Sequence, residues 1–350
     1  MLVSSLSKFL ETRSSIQLAH QFDKTPTSAI TIFEVCVLTL SILALLVLAK
    51  YEKQIVKKFL MASLGIFIFE FFTSPMWNNY KMGAWAYTYQ DVSWVLTVGW
   101  SSLVLSVVTC VDRFFSKWKE HKRFPLYLII LTMIVPILEW IIVRLGIRSY
   151  SPEVLESGGQ LFWGVPLGVF YYVPVFMALV ICFYRYSYFI LLKTPVVPIK
   201  RRKWLRNLFI SFVGVFLFEV MIEPMVVNAK LPQWSYVYHD ISILLTGGWV
   251  VIVWLAINIV DKWWIHVDLL GKFLRYQFVI FLVTLPIESW LIGNGYRIYG
   301  ASTVSAFSGF RVPIFQVPVE IAFAIPFYLA LVVSFIKYWE IILDNERVGS

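Results

Sequence analysis

Charge is scarce in this sequence. Only 15% of its 350 residues are Asp, Glu, Lys or Arg, while 59% are hydrophobic. A water-soluble domain of this length has no means of hiding so much apolar surface, so the composition excludes that class and implies a polytopic membrane protein. Cysteine is scarcer still: Cys36, Cys110 and Cys182 are scattered through apolar runs, which excludes a disulfide framework or a metal knot and predicts small packing residues. The four histidines, His20, His121, His239 and His266, are isolated from one another. That argues against a histidine-rich di-iron site, and no metal is expected. There is no glycine-rich phosphate loop and no aspartate-rich pair, which argues against an ATP-driven pump or a diphosphate–magnesium site; no cofactor is implied. Residues 1–27 lack the order of a cleaved signal, so the first span is expected to be retained.

Long apolar runs are abundant. They fall at 28–49, 57–76, 92–111, 124–145, 163–185, 204–227, 241–260, 272–293 and 312–336, each long enough to cross a hydrocarbon core of about 30 Å. The fold class read from them is an all-α polytopic membrane protein with about nine transmembrane helices. Basic residues crowd into alternate connections: Lys50, Lys53, Lys57 and Lys58; then Arg113, Lys117, Lys119, Lys122 and Arg123; then Lys200, Arg201, Arg202, Lys203 and Arg206. The positive-inside rule makes these connections cytoplasmic, which puts the N-terminus outside and the C-terminus inside. The net charge of +9 therefore reads as topology and contact with membrane lipid. No basic patch sits on a soluble fold, so no nucleic-acid partner is expected.

Shifting the chain by 149 residues superposes 70–112 on 219–261 without a gap, with seventeen of forty-three positions identical. The register continues to Glu139/Glu288, Gly146/Gly295, Arg148/Arg297 and Tyr150/Tyr299, and after a short indel Pro166 and Pro174 match Pro318 and Pro326. The expected organisation is an N-terminal segment 1–27, an extra helix and loop 28–56, a first four-helix repeat 57–193, a second 194–340 in the same orientation, and a tail 341–350.

The polar residues kept in both copies cluster at the outer helix ends: Glu70, Asp91, Glu139 and Arg148, with their partners Glu219, Asp240, Glu288 and Arg297. A charge near mid-membrane costs roughly 2.5–3.5 kcal/mol and usually marks a site facing the bundle interior. The plainer reading is that the Glu/Arg pairs only tie helices together. Glu219 and Glu223 lie four residues apart on one helix face. Mutual repulsion and poor hydration favour a neutral carboxylic acid there, which is a strong proton donor in an apolar pocket. Repeat two has Glu223 where repeat one has Ser74, and Glu320 where repeat one has Gly168, so repeat two is expected to carry any proton chemistry. His239, beside Asp240, suits either a proton relay or an interfacial hydrogen bond. Trp85, Trp100, Trp234, Trp249 and Tyr236 suit either an interfacial belt or the shielding of a cation on an apolar substrate.

The element Pro318-Val319-Glu320, preceded by the aromatic turn "YRIYG", resembles the small membrane carotenoid cyclases of lycopene cyclase type. Glu223-Pro224 followed by "QWSYVY" and "GGW" is similar to the related carotenoid hydratases. In the cyclase pattern a second acid follows the first, where this chain has Ile321. The resemblance implies a redox-neutral enzyme that protonates an isoprenoid double bond and then cyclises the cation or lets water capture it. It implies Glu320 and Glu223 as acid groups. The residues themselves suggest that Asp240 or Glu219 holds or restores the proton, with Glu288 a further candidate catalytic acid. Arg297, Glu70 and Asp91 would join the aromatic residues around the substrate. Partners on this reading are lipid, an apolar isoprenoid or carotenoid, and a homo-oligomer or membrane-enzyme complex. The rival readings are a tandem-repeat transporter or lipid-binding protein with proton-coupled carboxylates, and an assembly subunit whose polar pairs are interhelical contacts.

Overall fold

The computed structural model describes residues 23–192 and 203–345. Most of the N-terminal segment, the basic residues Lys200, Arg201 and Arg202, and the last five residues of the tail lie outside the described residues. Nine long helices are present among those described: α1 Ser28–Ala49, α2 Ile55–Thr73, α3 Trp94–Phe114, α4 Glu120–Arg144, α5 Val169–Leu191, α6 Trp204–Ile222, α7 Ile243–Trp263, α8 Leu269–Gly293 and α9 Val319–Asn345. All except α2 are long and apolar enough to cross a membrane as they stand. Helix α2 carries Lys57, Lys58 and Glu70 within nineteen residues. The chain is a multi-pass integral membrane protein, all-α in its spanning part, because only helices satisfy their own backbone polar groups in lipid.

Several helices begin at residues that accept a bond from the first turn. Thr27 accepts from the amide of Ile30 at 3.3 Å, Ser93 from Leu96 at 3.4 Å and Asp268 from Gly271 at 2.9 Å, which supplies partners to amides that have none inside the helix. Two predicted boundaries move inward by several residues. The spans expected from 163 and from 312 begin at Val169 and Val319, because Leu161–Phe162 pairs with Val165–Pro166 and Arg311 bridges to Pro318. Conversely, the spans expected to reach 76 and 227 end at Thr73 and Ile222, where Pro75 and Pro224 open short 3₁₀ turns.

Helix alternation gathers the connections at two faces. The basic face holds the turns after α1, α3 and α7. The opposite face holds short antiparallel strand pairs, and the same pairs recur 149 residues apart. Trp77–Asn79 pairs with Arg148–Tyr150 so that Asn79 stands opposite Arg148. Val226–Asn228 pairs with Arg297–Tyr299 so that Asn228 stands opposite Arg297. Gly146 and Gly295, at φ +70° and +69°, close α4 and α8 in the left-handed conformation that glycine adopts without a steric cost.

The halves meet where α5 packs on α9 and α6. Phe72 of α2 lies 5.3 Å from Phe327 and 5.6 Å from Tyr328 of α9, centroid to centroid. Helix α1 covers α3 of the first half, where Val37 approaches Gly99. Gly248, the matched residue of α7, has nothing within 4 Å of where a side chain would begin. Of the cysteines, Cys182 is buried as expected of a packing residue, whereas Cys36 and Cys110 are exposed on the outer helix surfaces.

Candidate functional site

Among the described residues, each half contains a cavity just inside the strand face. The first, of about 90 Å³, is bounded by Glu70, Trp77, Trp100, Glu139, Arg148, Tyr150 and Tyr172 together with apolar side chains of α2, α4 and α5. The second, of about 100 Å³, is bounded by Glu219, Trp249, Thr284, Glu288, Arg297, Tyr299 and apolar side chains of α6 and α9. Six polar or aromatic residues recur at matched positions in the two walls: Phe69/Phe218, Glu70/Glu219, Trp100/Trp249, Glu139/Glu288, Arg148/Arg297 and Tyr150/Tyr299. Both volumes lie below the roughly 300–1,000 Å³ of whole-ligand pockets. Each is suited to an end group of a few carbons.

In the first cavity most polar groups bond one another, and of the Arg148 guanidinium only Nη2 has no partner among the described residues. Arg148 Nη1 donates to both carboxylate oxygens of Glu139, at 2.9 and 3.1 Å. Its Nε donates to Asn79 Oδ1 at 3.0 Å, Tyr150 donates to Glu139 at 2.8 Å, and Thr97 donates to Glu70. Behind this cluster, Asn79 donates its backbone amide to Asp91 at 3.2 Å and its side-chain amide to the Asp91 carbonyl at 2.9 Å. Burial pushes the Asp91 carboxyl up to about 6, partly offset by the Asn79 amide.

The second cavity keeps the residues and loosens the bonds. Arg297 Nε stands 3.6 Å from Glu288, beyond hydrogen-bond reach, and it has no hydrogen-bond partner; nor does the buried Oδ1 of Asn228. Tyr299 donates to Glu288, Thr246 donates to Glu219, and the Arg297 guanidinium lies 5.8 Å from the centre of the Trp249 ring.

The remaining expected site residues fall elsewhere. Glu223 bounds neither cavity; it accepts from Tyr172 of the first half at 3.1 Å and lies 3.0 Å from His239 Nδ1. Glu320 accepts the Ser308 amide at 2.6 Å and holds the loop before α9. Asp240 accepts from Asn228 through its carbonyl, and partial burial raises its carboxyl above the usual range. Tyr236 donates to the Asn228 carbonyl at 2.9 Å. Trp85 and Trp234, 51% and 72% exposed, face outward. Sequence reasoning missed Tyr172, whose only signal was its place two residues before Pro174. Comparison with protein-family models, curated proteins and solved structures returns no match. The class that fold and site define is therefore a multi-pass membrane protein with two matched, acid-bearing apolar cavities.

Proposed function

We propose that the chain is a membrane enzyme performing acid-catalysed, redox-neutral chemistry, cyclisation or hydration, on the end of a long isoprenoid. The observation that carries this reading is the second cavity. An apolar wall there meets the Glu219 carboxyl and the Trp249 ring, and Arg297 keeps its Nε unbonded. Glu219 is the acid that protonates the terminal double bond, in a space that admits the end group while the polyene tail extends between helices into lipid. The Trp249 ring shields the cation. Glu288 and Tyr299 fix the Arg297 guanidinium at the strand-face rim, and Asp240 lies behind it. The basic face is cytoplasmic in this reading, by the positive-inside rule. Relative to the expectation from sequence, the acid moves from Glu223 or Glu320 to Glu219.

The test is conversion of lycopene, an acyclic polyene, by detergent-purified protein in D₂O, read by chromatography and mass spectrometry. Wild type incorporates solvent deuterium at the modified end. Glu219→Gln loses about 10²-fold or more of the rate, the usual weight of a positioned acid. Full activity in both Glu219→Gln and Glu70→Gln overturns the reading.

A further inference from the structure

Glu223 is absent from the matched position of the first half, and its partners explain where it acts. Its side chain is 4% exposed, whereas that of His239 beside it is 40% exposed on the strand face. His239 Nδ1 lies 3.0 Å from Glu223 Oε1, and Glu223 Oε2 accepts from the Tyr172 hydroxyl at 3.1 Å. Tyr172 belongs to the other half and bounds its cavity. Three hydrogen-bonded groups, each able to take up and release a proton, thus run from the aqueous face across the boundary between the halves to the first cavity. The other groups around Glu223 are Asp240, which acts on its charge, the Tyr238–Tyr171 hydroxyl pair at 2.8 Å, and Ser157, 3.5 Å from the Tyr172 hydroxyl. The matched residues of the first half build nothing comparable: Ser74 donates to the Phe71 carbonyl and Gln90 to the Tyr89 hydroxyl. Ala324, at the position of Tyr172, bounds the second cavity without a hydroxyl.

We propose that His239, Glu223 and Tyr172 form a proton path from the strand face into the cavity of the first half, making that cavity a second site of protonation, for the other end of a two-ended substrate. Water gives a proton to His239, which gives one to Glu223. Glu223 gives one to the Tyr172 oxygen as Tyr172 releases its own into the cavity, where Glu70 takes it up and delivers it to carbon. The proton that later leaves the product, from carbon on cyclisation or from the captured water on hydration, returns by the same groups, so none is consumed. The path rests on the proposed chemistry for its role, though not for its existence.

The experiment compares wild type, Tyr172→Phe, Glu223→Gln and His239→Ala, with enzyme in excess over lycopene, scoring products modified at one end and at both. Tyr172→Phe and Glu223→Gln cut two-ended product about 10²-fold while one-ended product persists. His239→Ala loses it too, and added imidazole restores it, which a merely structural contact would not allow. An unchanged product ratio in Tyr172→Phe, or no rescue by imidazole, overturns the path. If wild type modifies neither end, the proposed function fails and infrared spectroscopy decides the path. At acidic pH the carboxylic carbonyl band lost in Glu223→Gln exchanges with D₂O, and His239→Ala slows that exchange; an unchanged exchange rate overturns it.

Discussion

The two halves differ most at the residues they share. Arg148 is held by three hydrogen bonds, two to Glu139 and one to Asn79. Arg297, in the same strand register opposite the same asparagine, stands 3.6 Å from Glu288 and leaves Nε without a bond. A hydrogen bond to a charged group is worth about 1.5–3 kcal/mol, so the second half forgoes stability that the first half collects with identical residues. Identity of residues therefore does not settle their state of bonding; the packing around them does. The first half keeps Trp77 beneath its guanidinium at 5.3 Å, whereas Val226 takes that place in the second and the guanidinium swings toward Trp249. The first cluster leaves only Nη2 of its guanidinium without a bond, whereas the second leaves Arg297 Nε and Asn228 Oδ1 unbonded.

The basic face repeats the contrast in reverse, with different residues reaching a similar balance. Arg185 of α5 pairs with Asp112 at 2.6 Å and lies 3.8 Å from Glu120. Lys337, at the matched place in α9, pairs with Asp261 at 3.0 Å and Glu340 at 2.5 Å. Glu120 has Leu269 at its matched position, and the second half recovers the acid from α9 as Glu340. Lys337 is the more deeply buried cation, at 6% side-chain exposure against 18% for Arg185, while the acids Glu340 and Glu120 are buried alike, at 2% and 5%. Breaking a buried pair costs about 3–5 kcal/mol. Glu340→Gln should therefore destabilise by about 3 kcal/mol or more, and Glu120→Gln by less, since Arg185 and Arg123 both keep Asp112, at 2.6 and 3.1 Å, while Lys337 is left with Asp261 alone. Thermal unfolding in detergent measures both; equal losses would mean that the two clusters are interchangeable.

How far the sequence foretells this depends on the scale of the feature. The nine helices were legible because each apolar run is long, and the 149-residue recurrence because Glu70, Asn79, Asp91, Glu139 and Arg148 all return. The start of α5 was not, because strands of two residues such as Leu161–Phe162 leave no periodic signal. Nor was the setting of Glu223: an (i, i+4) reading pairs it with Glu219, whereas the helix ends at Ile222 and the 3₁₀ turn sends its side chain to Tyr172, 51 residues earlier. The matched tryptophans also divide by burial, Trp100 and Trp249 inward, Trp85 and Trp234 outward. Residue type alone does not distinguish them.

The loop aspartates provide a comparison driven by pH. Asp91, with a carboxyl raised to about 6 by burial, sits above the ordinary value of about 3.9. Its protonated form is favoured by the folded state, so its contribution is fully present below about pH 4 and is lost as pH rises through about 6. Two units correspond to about 2–3 kcal/mol. Asp91→Asn keeps an oxygen to accept the Asn79 amide and removes the charge, so it should unfold at a higher temperature than wild type at pH 8 and at a similar one at pH 4. Asp240, half-buried with its carboxyl also raised, should give the smaller change in Asp240→Asn. A larger effect at Asp240 would reverse the ranking of burial between the two loops.

The smallest effect tests why only the first half carries an extra helix. Glu34 of α1, buried in the interface, accepts the backbone amide of Gly83 at 2.6 Å. The matched residue of the second half is Pro232, which has no amide hydrogen to give. The two backbones are nearly the same, φ −58° and ψ 143° at Gly83 against φ −58° and ψ 137° at Pro232, so proline fits the first loop and removes little but the donor. The neighbouring Trp85 ring must move aside, which its exposure permits. Gly83→Pro leaves a buried carboxylate short of a partner and should cost about 1–2 kcal/mol. Pro232→Gly, with no acid waiting, should cost only the few tenths to about 1 kcal/mol of added chain freedom in the unfolded state. In Gly83→Pro carrying Glu34→Leu, most of the loss should return, because donor and acceptor are then both gone. A double variant no more stable than Gly83→Pro would place the hold of α1 in its contact with Gly99, independent of the Glu34 carboxylate.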